Sequence, residues 1–254
     1  MCIIAYKPAG AAMPSKKQFK TMFRHNPDGA GFMYIDGGRV QIIKGLMSYS
    51  AFQNELAKVK NRIESPFVFH FRIATHGGIS QSMTQPFPLT DKKSRLRSLR
   101  QSADVGVAHN GIIMLCNDAR KMSDTAQFIS QYMTRICTGA QPFDDINLDI
   151  IESCIDSRMC ILESSGAVHI LGHGWIEDGG LMFSNSSYLD YRTTKKTSQK
   201  AAKNNYYYSP YSWDMFGDGD ADMYDYCDGY CNSCKYKNQC WDIDAATDRG
   251  INSI

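Results

Sequence analysis

Hydrophobic and polar positions alternate over the first 190 residues in patterns that predict both strands and helices. Alternation of period two, or a short apolar run, predicts strands at 2–5, 66–72, 105–109, 159–163, 168–171 and 181–184. Two β-rich runs, 31–35 and 39–43, flank an Asp-Gly-Gly sequence that is typical of a hairpin. Within 66–72, three phenylalanines alternate with Val68, His70 and Arg72, so the two sets should occupy opposite faces.

Three segments have the spacing of amphipathic helices. The first follows Ser15, ends at Asn26-Pro27, and has an apolar face of Phe19, Met22 and Phe23. The second begins at Ser50, and its predicted apolar face is Phe52, Leu56, Val59 and Ile63. The third follows Ser123, and its apolar positions are Phe128, Ile129, Tyr132, Met133 and Ile136. Strand-rich halves with a few helices predict an α+β fold in which sheets pack on each other and helices lie outside.

The pattern ends near residue 190, where the chain becomes polar and biased in composition. Residues 192–203 contain five Lys and Arg and no acid; a tyrosine-rich run and six aspartates follow by residue 228. We therefore predict a folded domain at 1–190, a basic and then acidic and aromatic linker at 191–226, and a cysteine-rich tail at 227–254.

Composition and charge narrow the class of protein. The 254 residues are 43% hydrophobic and 21% charged, which is typical of a globular protein with a sizeable core. The net charge of +2 requires no nucleic acid or membrane as a partner. No apolar run approaches the roughly 20 residues of a spanning helix, and residues 1–8 do not fit a signal peptide. We expect a cytoplasmic protein.

Cys2 carries the first candidate chemistry. Initiator methionine is removed when the next residue is small, and loss of Met1 leaves a thiol and a free α-amine on one residue. An α-amine titrates at about 7.7–8.0, so it can accept a proton and activate the thiol. A cysteine at position two also occurs by chance, so Cys2 alone indicates little.

Two segments supply groups that such a nucleophile requires. Arg72 ends a buried-looking strand and precedes Thr75 and His76, which suits a clamp for a carboxylate. A structural salt bridge explains Arg72 equally well. Asn110-Gly111 follows the strand at 105–109 and forms either a turn or a two-donor oxyanion hole.

The start of the third predicted helix supplies another group. Ser123 is a good N-cap, and Asp124 suits the positive end of the helix dipole. Asp124 can alternatively bind the α-ammonium group of an amino acid. Both roles are compatible, because Ser123 can cap the helix while Asp124 binds.

Together these segments resemble the glutaminase domain of the class II glutamine amidotransferases. Cys2 matches the processed nucleophile, 26–31 looks like the early Asp-Gly-x-Gly segment, and 72–77 is similar to the Arg-x-Ala-Thr-x-Gly signature. Residues 109–111 match the oxyanion motif and 123–125 the ammonium-binding motif, all in the family's order. The resemblance covers residues 2–189. The chain departs from the family at Ile73, at Ala126 and within 82–87, so no subfamily is assigned.

The resemblance implies a fold and a reaction. The fold is the four-layer αββα sandwich of the N-terminal nucleophile hydrolases. The reaction is hydrolysis of the side-chain amide of L-glutamine to glutamate and ammonia, through a thioester on Cys2. Asn110 and Gly111 would stabilise the oxyanion. This chemistry requires no cofactor.

The resemblance also implies how substrate and product are handled. Arg72, Thr75 and His76 would bind the α-carboxylate of glutamine, and Asp124 its α-ammonium group. The ammonia would pass to a separate synthase or acceptor protein.

Two other functions stay open. The same site could hydrolyse a larger γ-glutamyl amide, with water as the only acceptor. Alternatively, the chain is an inactive fold that acts as a binding module through its cysteine-rich tail. Retention of Met1 would favour this last hypothesis, because it blocks the amine that serves as base.

The tail contains four closely spaced thiols. They are Cys227, Cys231, Cys234 and Cys240, all within fourteen residues. In a reducing compartment such crowding indicates a metal before a disulfide. We predict tetrahedral Zn²⁺ first, an iron–sulfur cluster second, and unligated thiols or a disulfide third.

Overall fold

The computed structural model describes residues 1–74, 78–116 and 122–190. The chain divides into two units, Met1–Lys200 and Ala201–Ile254, and the description below concerns the first. Its described residues form an α+β fold with two antiparallel sheets and a few helices, as the sequence predicts. The predicted linker and cysteine-rich tail, 191–254, lie outside the described residues.

Eleven strands occur in the described part of the chain. In order they are β1 (Ile3–Lys7), β2 (Ala30–Asp36), β3 (Arg39–Leu46), β4 (Phe67–Phe71), β5 (Phe87–Pro88), β6 (Arg100–Ala103), β7 (Val105–Asn110), β8 (Arg158–Glu163), β9 (Val168–Leu171), β10 (Ile176–Asp178) and β11 (Leu181–Phe183). The larger sheet has the order β10-β11-β1-β4-β2-β3-β6, and the smaller sheet the order β5-β7-β8-β9. Every neighbouring pair is antiparallel.

The helices are α1 (Lys16–His25), α2 (Tyr49–Ala57), α3 (Lys93–Arg97), α4 (Asp124–Phe128), α5 (Thr134–Ile136) and α6 (Asp145–Ile155). A π-helical segment, Ile129–Met133, joins α4 to α5, and a 3-10 turn spans Gln81–Met83. Ser15 caps α1: its hydroxyl accepts a hydrogen bond from the Gln18 backbone amide, and the Gln18 side-chain oxygen accepts one from the Ser15 backbone amide. Within the described ranges, no helix is long and apolar enough to cross a membrane.

Buried apolar side chains form three clusters in the described residues. The first lies between α1, α2 and one face of the larger sheet, where the Phe19 ring packs 5.2 Å from Phe52 and 4.9 Å from Phe69. The second joins the opposite face of that sheet, for example Val68, to Cys160 of the smaller sheet. The third lies between the smaller sheet and α4 and α6. Both faces of each sheet are therefore packed.

Two predictions about strands are confirmed. Gly37 and Gly38 adopt φ values of 58° and 67° between β2 and β3, a left-handed turn that matches the twist of a hairpin and suits glycine. In β4, the three phenylalanines face the first cluster and Val68 faces the second, so the predicted alternation is present.

The helices differ from prediction in three places. α2 follows Ser48 and ends at Ala57, so Ile63 lies beyond it and is 52% exposed; the prediction that the helix extends to Ile63 was wrong. The π-helical segment widens one turn and changes which positions face inward, so Tyr132 is 40% exposed. α6 was not predicted, although Ile151 and Ile155 have helical spacing and both are buried.

Candidate active site

One narrow pocket collects residues from four segments that the sequence singles out. It is lined by Cys2, Arg72, Gly111 and Asp124, together with Ile73, Met83, Gln85, His109, Ile112 and Ser123. Its volume of about 40 Å³ holds only a few water molecules. An amino acid is larger than this volume. Ile112, one of the lining residues, is 46% exposed.

Sheet register brings these residues together. β1 and β4 are antiparallel neighbours in which Ile3 lies opposite Phe71. Cys2 immediately precedes β1 and Arg72 immediately follows β4, so both lie at the same end of the larger sheet. Gly111 follows β7, and Asp124 begins α4.

Cys2 is half-buried, and hydrogen bonds engage both its thiol and its backbone carbonyl. Its thiol donates to the Ile73 carbonyl at 3.5 Å, and the Asn185 amide nitrogen donates to the Cys2 carbonyl at 2.6 Å. Burial raises the pKa of the Cys2 thiol and Asp124 adds to this effect, while the Ile73 hydrogen bond, the terminal amine of Met1 and Arg72 lower it. The resting thiol is therefore neutral, and it requires a base to become a nucleophile.

Arg72 is a buried cation with unused donor capacity. The residue is 5% exposed, and its Nη2 donates to the Gly78 carbonyl at 3.4 Å. Its Nη1 is buried without a hydrogen-bond partner, and no ion pair of the described residues includes it. A buried charge left uncompensated is unfavourable, so this guanidinium suits an anionic ligand.

Hydrogen bonds join the Asp28-Gly29 segment to the backbone at Arg72 and Ala74. The Ala74 amide donates to Asp28 Oδ2 at 2.7 Å, and the Asp28 amide donates to the Arg72 carbonyl at 2.9 Å. The Arg72 amide donates in turn to the Gly29 carbonyl at 2.8 Å. These bonds fix the backbone on both sides of the guanidinium.

Ser123 and Asp124 perform separate tasks. The Ser123 hydroxyl accepts from the Ala126 amide at 3.2 Å, so the prediction of an N-cap is confirmed. Asp124 accepts from the Ile113 amide at 2.9 Å and from the Thr125 amide at 2.7 Å. No lysine or arginine of the described residues forms an ion pair with Asp124, so the pocket holds one positive and one negative group, each without a charged partner.

The two predicted oxyanion donors occupy different positions. Gly111 lies on the pocket wall, and a β-carbon at this position would overlap the Ser157 side chain. Asn110 is 1% exposed and lies behind the wall, where its amide nitrogen donates to the Ser184 hydroxyl at 2.9 Å. An amide nitrogen carries two hydrogens, and the hydrogen bonds of the described residues use one of them; Asn110 is not among the residues that line the pocket.

Sequence reasoning missed Ser184 and Asn185. Ser184 accepts from the Ile4 amide at 2.8 Å as well as from Asn110, so it joins β1 to the end of β7. Asn185 holds the Cys2 carbonyl. Their signal in the sequence is a polar pair placed directly after a buried strand, but only the pairing of β11 with β1 makes it informative.

Other predicted site residues lie outside the described residues. These are Thr75, His76 and the tail cysteines Cys227, Cys231, Cys234 and Cys240. Among the residues that are described, no group of three or more His, Cys, Asp or Glu side chains could hold a metal ion.

A second cavity of about 540 Å³ lies at the C-terminal end of α6. Asp149, Glu152, Asp156, Arg158 and His173 line it, together with Ser153, Ser157 and Gly172. None of the predicted site residues lines this cavity. Ser157 lines this cavity, and its hydroxyl is hydrogen-bonded to His109, which lines the narrow pocket.

No protein-family model matches the chain, and no curated protein matches it significantly.

Proposed function

We propose that the chain is a glutamine amidohydrolase of the class II amidotransferase type, with Cys2 as nucleophile after removal of Met1. The observation that carries the proposal is the charge pattern of the narrow pocket. Arg72 and Asp124 each lack a charged partner among the described residues, and they share the pocket with a cysteine thiol. A free amino acid has both complementary charges, and its side chain can then reach the thiol.

The reaction follows from these groups. Arg72 binds the α-carboxylate, which a guanidinium can hold in two parallel hydrogen bonds, and Asp124 binds the α-ammonium group. The α-amine of Cys2 takes the thiol proton while the sulfur attacks the side-chain amide carbon. The Gly111 amide, with the second amide hydrogen of Asn110, stabilises the oxyanion. The proton passes to the leaving nitrogen, ammonia departs, and water cleaves the γ-glutamyl thioester.

The packing supports the fold that this function implies. Apolar clusters lie between helices and the larger sheet, between the two sheets, and between the smaller sheet and the other helices. Such packing is what the four-layer αββα sandwich of N-terminal nucleophile hydrolases requires. We include that architecture in the proposal.

The size of the pocket favours free glutamine over a larger γ-glutamyl amide. A volume of about 40 Å³ must already expand to admit glutamine, and a bulkier amide requires a greater displacement. The proposal also includes a separate acceptor protein for the ammonia.

The test is the intact mass of the purified protein, with and without a diazoketone analogue of glutamine. We expect loss of Met1 and one adduct per chain, mapped to Cys2 and suppressed by L-glutamine but not by D-glutamine. Retention of Met1, or an unlabelled Cys2, contradicts the proposal and favours the binding-module hypothesis.

A matched pair of variants makes the labelling specific. Cys2→Ser should abolish the adduct. Cys137→Ser removes another half-buried thiol, which does not line the pocket, and should label as the wild type does. An adduct that persists in Cys2→Ser shows reaction at a different cysteine.

A further inference from the structure

A closed ring of hydrogen bonds joins two residues that line the narrow pocket, Gln85 and His109, to Thr125 of α4. The His109 amide donates to Gln85 Oε1 at 2.7 Å, and Gln85 Nε2 donates to Thr125 Oγ1 at 3.3 Å. Thr125 Oγ1 lies 3.1 Å from His109 Nδ1, which closes the ring. His70 Nε2 donates to the His109 carbonyl at 3.2 Å and so holds the same residue from the larger sheet. All of these side chains are buried.

The Ser157 hydroxyl determines which nitrogen of the His109 imidazole carries the proton. Its hydroxyl has one proton, which it donates to the Ile155 carbonyl at 2.7 Å, so it accepts from His109 Nε2 at 2.6 Å. His109 therefore carries its proton on Nε2. Its Nδ1, at 3.1 Å, is a nearer acceptor for the single Thr125 hydroxyl proton than Asp124 Oδ1, at 3.4 Å. Burial lowers the pKa of His109 to about 4, and Asp124 opposes this with a smaller effect. The low pKa agrees with a neutral imidazole.

Thr125 and Ser157, the two side chains that bond the His109 imidazole, each lie next to a group of the pocket. At one end, Thr125 follows Asp124 in the chain and its amide donates to Asp124 Oδ1 at 2.7 Å. At the other end, the Ser157 side chain lies so close to Gly111 that no β-carbon fits between them. This frame therefore consists of hydrogen bonds that run from the Asp124 segment through His109 to Ser157, and of the packing of Ser157 on Gly111.

We propose that His109 is a neutral positioning residue that holds the Asp124 carboxylate and the Gly111 amide in one frame. The inference rests on the proposed glutamine hydrolysis, because it gives these two groups their roles. Both ring nitrogens of His109 are engaged with protein hydroxyls, so His109 does not exchange a proton with the substrate. Its contribution is the relative position of substrate and oxyanion donor.

Two substitutions separate the ends of the frame. Ser157→Ala keeps the β-carbon that packs on Gly111 and removes only the hydroxyl, so we expect kcat to fall about 10- to 100-fold while KM stays within about two-fold. Thr125→Val keeps the shape and the backbone amide that donates to Asp124, but it removes the hydroxyl that bonds His109; Asp124 then loses its link to the frame, so we expect KM for glutamine to rise about 10-fold. Steady-state glutaminase kinetics measure both.

Ser153→Ala is the matched control. The Ser153 hydroxyl bonds to the Asp149 carbonyl of its own helix and lies outside the frame, so kinetics should equal those of the wild type. If Ser157→Ala also equals the wild type, the frame does not position Gly111. If thermal unfolding shifts while kcat and KM do not, the role of Ser157 is structural only, and the inference is wrong.

A second measurement does not depend on activity. Nitrogen chemical shifts of His109 in the full chain should show one protonated nitrogen, Nε2, and no titration between about pH 5.5 and 8.5. Protonation at Nδ1, or a charged ring in this range, overturns the inference. If the wild type fails to label at Cys2 while these shifts are as expected, the proposed reaction is wrong and the neutral frame still stands.

Discussion

At the scale of a single residue, the burial of Arg72 affects both the folding free energy and the binding of an anionic ligand. The residue is 5% exposed, and its Nη1 has no hydrogen-bond partner among the described residues. Burial of a charge without compensation costs folding free energy, whereas an anionic ligand would recover that cost on binding. The sequence left a structural salt bridge and a carboxylate clamp as equal explanations. The unpaired guanidinium favours the clamp.

We predict that Arg72→Met raises KM for glutamine by about 100-fold, because it removes a charge-assisted, bidentate contact. The free energy of unfolding, measured with urea, should stay unchanged or increase, since the variant buries no charge. Arg158→Met is the control: Arg158 also has a buried, unpartnered nitrogen but lies outside the narrow pocket, so KM should not change. A loss of stability with unchanged KM would show that Arg72 is structural.

At the scale of elements, Lys44 of β3 makes hydrogen bonds to two others, the 3-10 turn and α3. Its ammonium group donates to the Ser82 carbonyl at 3.0 Å and to the Leu96 carbonyl at 2.6 Å, and it lies 3.8 Å from the centre of the Phe87 ring. β3 is thereby joined to the 3-10 turn and to α3. The turn ends at Met83, which lines the narrow pocket, and Gln85 follows it.

Lys44 also gives the fold a predictable dependence on pH. Burial lowers its pKa to about 7, so between about pH 7 and 10 the unfolded chain holds this proton and the folded chain does not. Raising the pH through this range therefore stabilises the folded state relative to the unfolded one. Urea unfolding of the wild type should show this rise, and Lys44→Met should show a smaller slope. Equal slopes would mean that Lys44 stays charged in the fold.

The elements show what sequence can and cannot predict. Alternation in β4 and the glycine pair between β2 and β3 are local signals, and the structure confirms both. Helix ends were less well predicted, because the face of α2 continued as an apolar pattern into Ile63 although the helix ends at Ala57. β10 was missed, since its sequence Ile-Glu-Asp has a single apolar residue and so shows neither an alternation nor an apolar run.

The site divides in the same way. Cys2, Arg72, Gly111 and Asp124 were predicted from chemistry, and they line one pocket. The supporting residues were not predicted, because Gln85, Ser157 and Asn185 have ordinary identities and acquire meaning only from contacts far along the chain. Asn110 was predicted, but its amide bonds Ser184 as well, which no local pattern indicates.

At the scale of the whole molecule, the tail and the domain can be tested separately. The full chain should contain about one zinc ion, measured by elemental mass spectrometry, because four thiolates complete a tetrahedral site. Residues 1–200 alone should contain none and should still label at Cys2. Iron and a brown colour in the full chain would indicate a cluster instead. Loss of Cys2 labelling on truncation would show that the domain depends on the tail.

The position of β1 between β4 and β11 has a consequence for biosynthesis. Residues 2–7 are synthesised nearly 180 residues before residues 181–183, with which they pair, and before Ser184 and Asn185, which bond Ile4 and Cys2. The proposed removal of Met1 can therefore proceed throughout that interval, before β11 pairs with β1. A nascent chain that stops before β11 lacks one neighbour of β1 and the Asn185 bond to the Cys2 carbonyl.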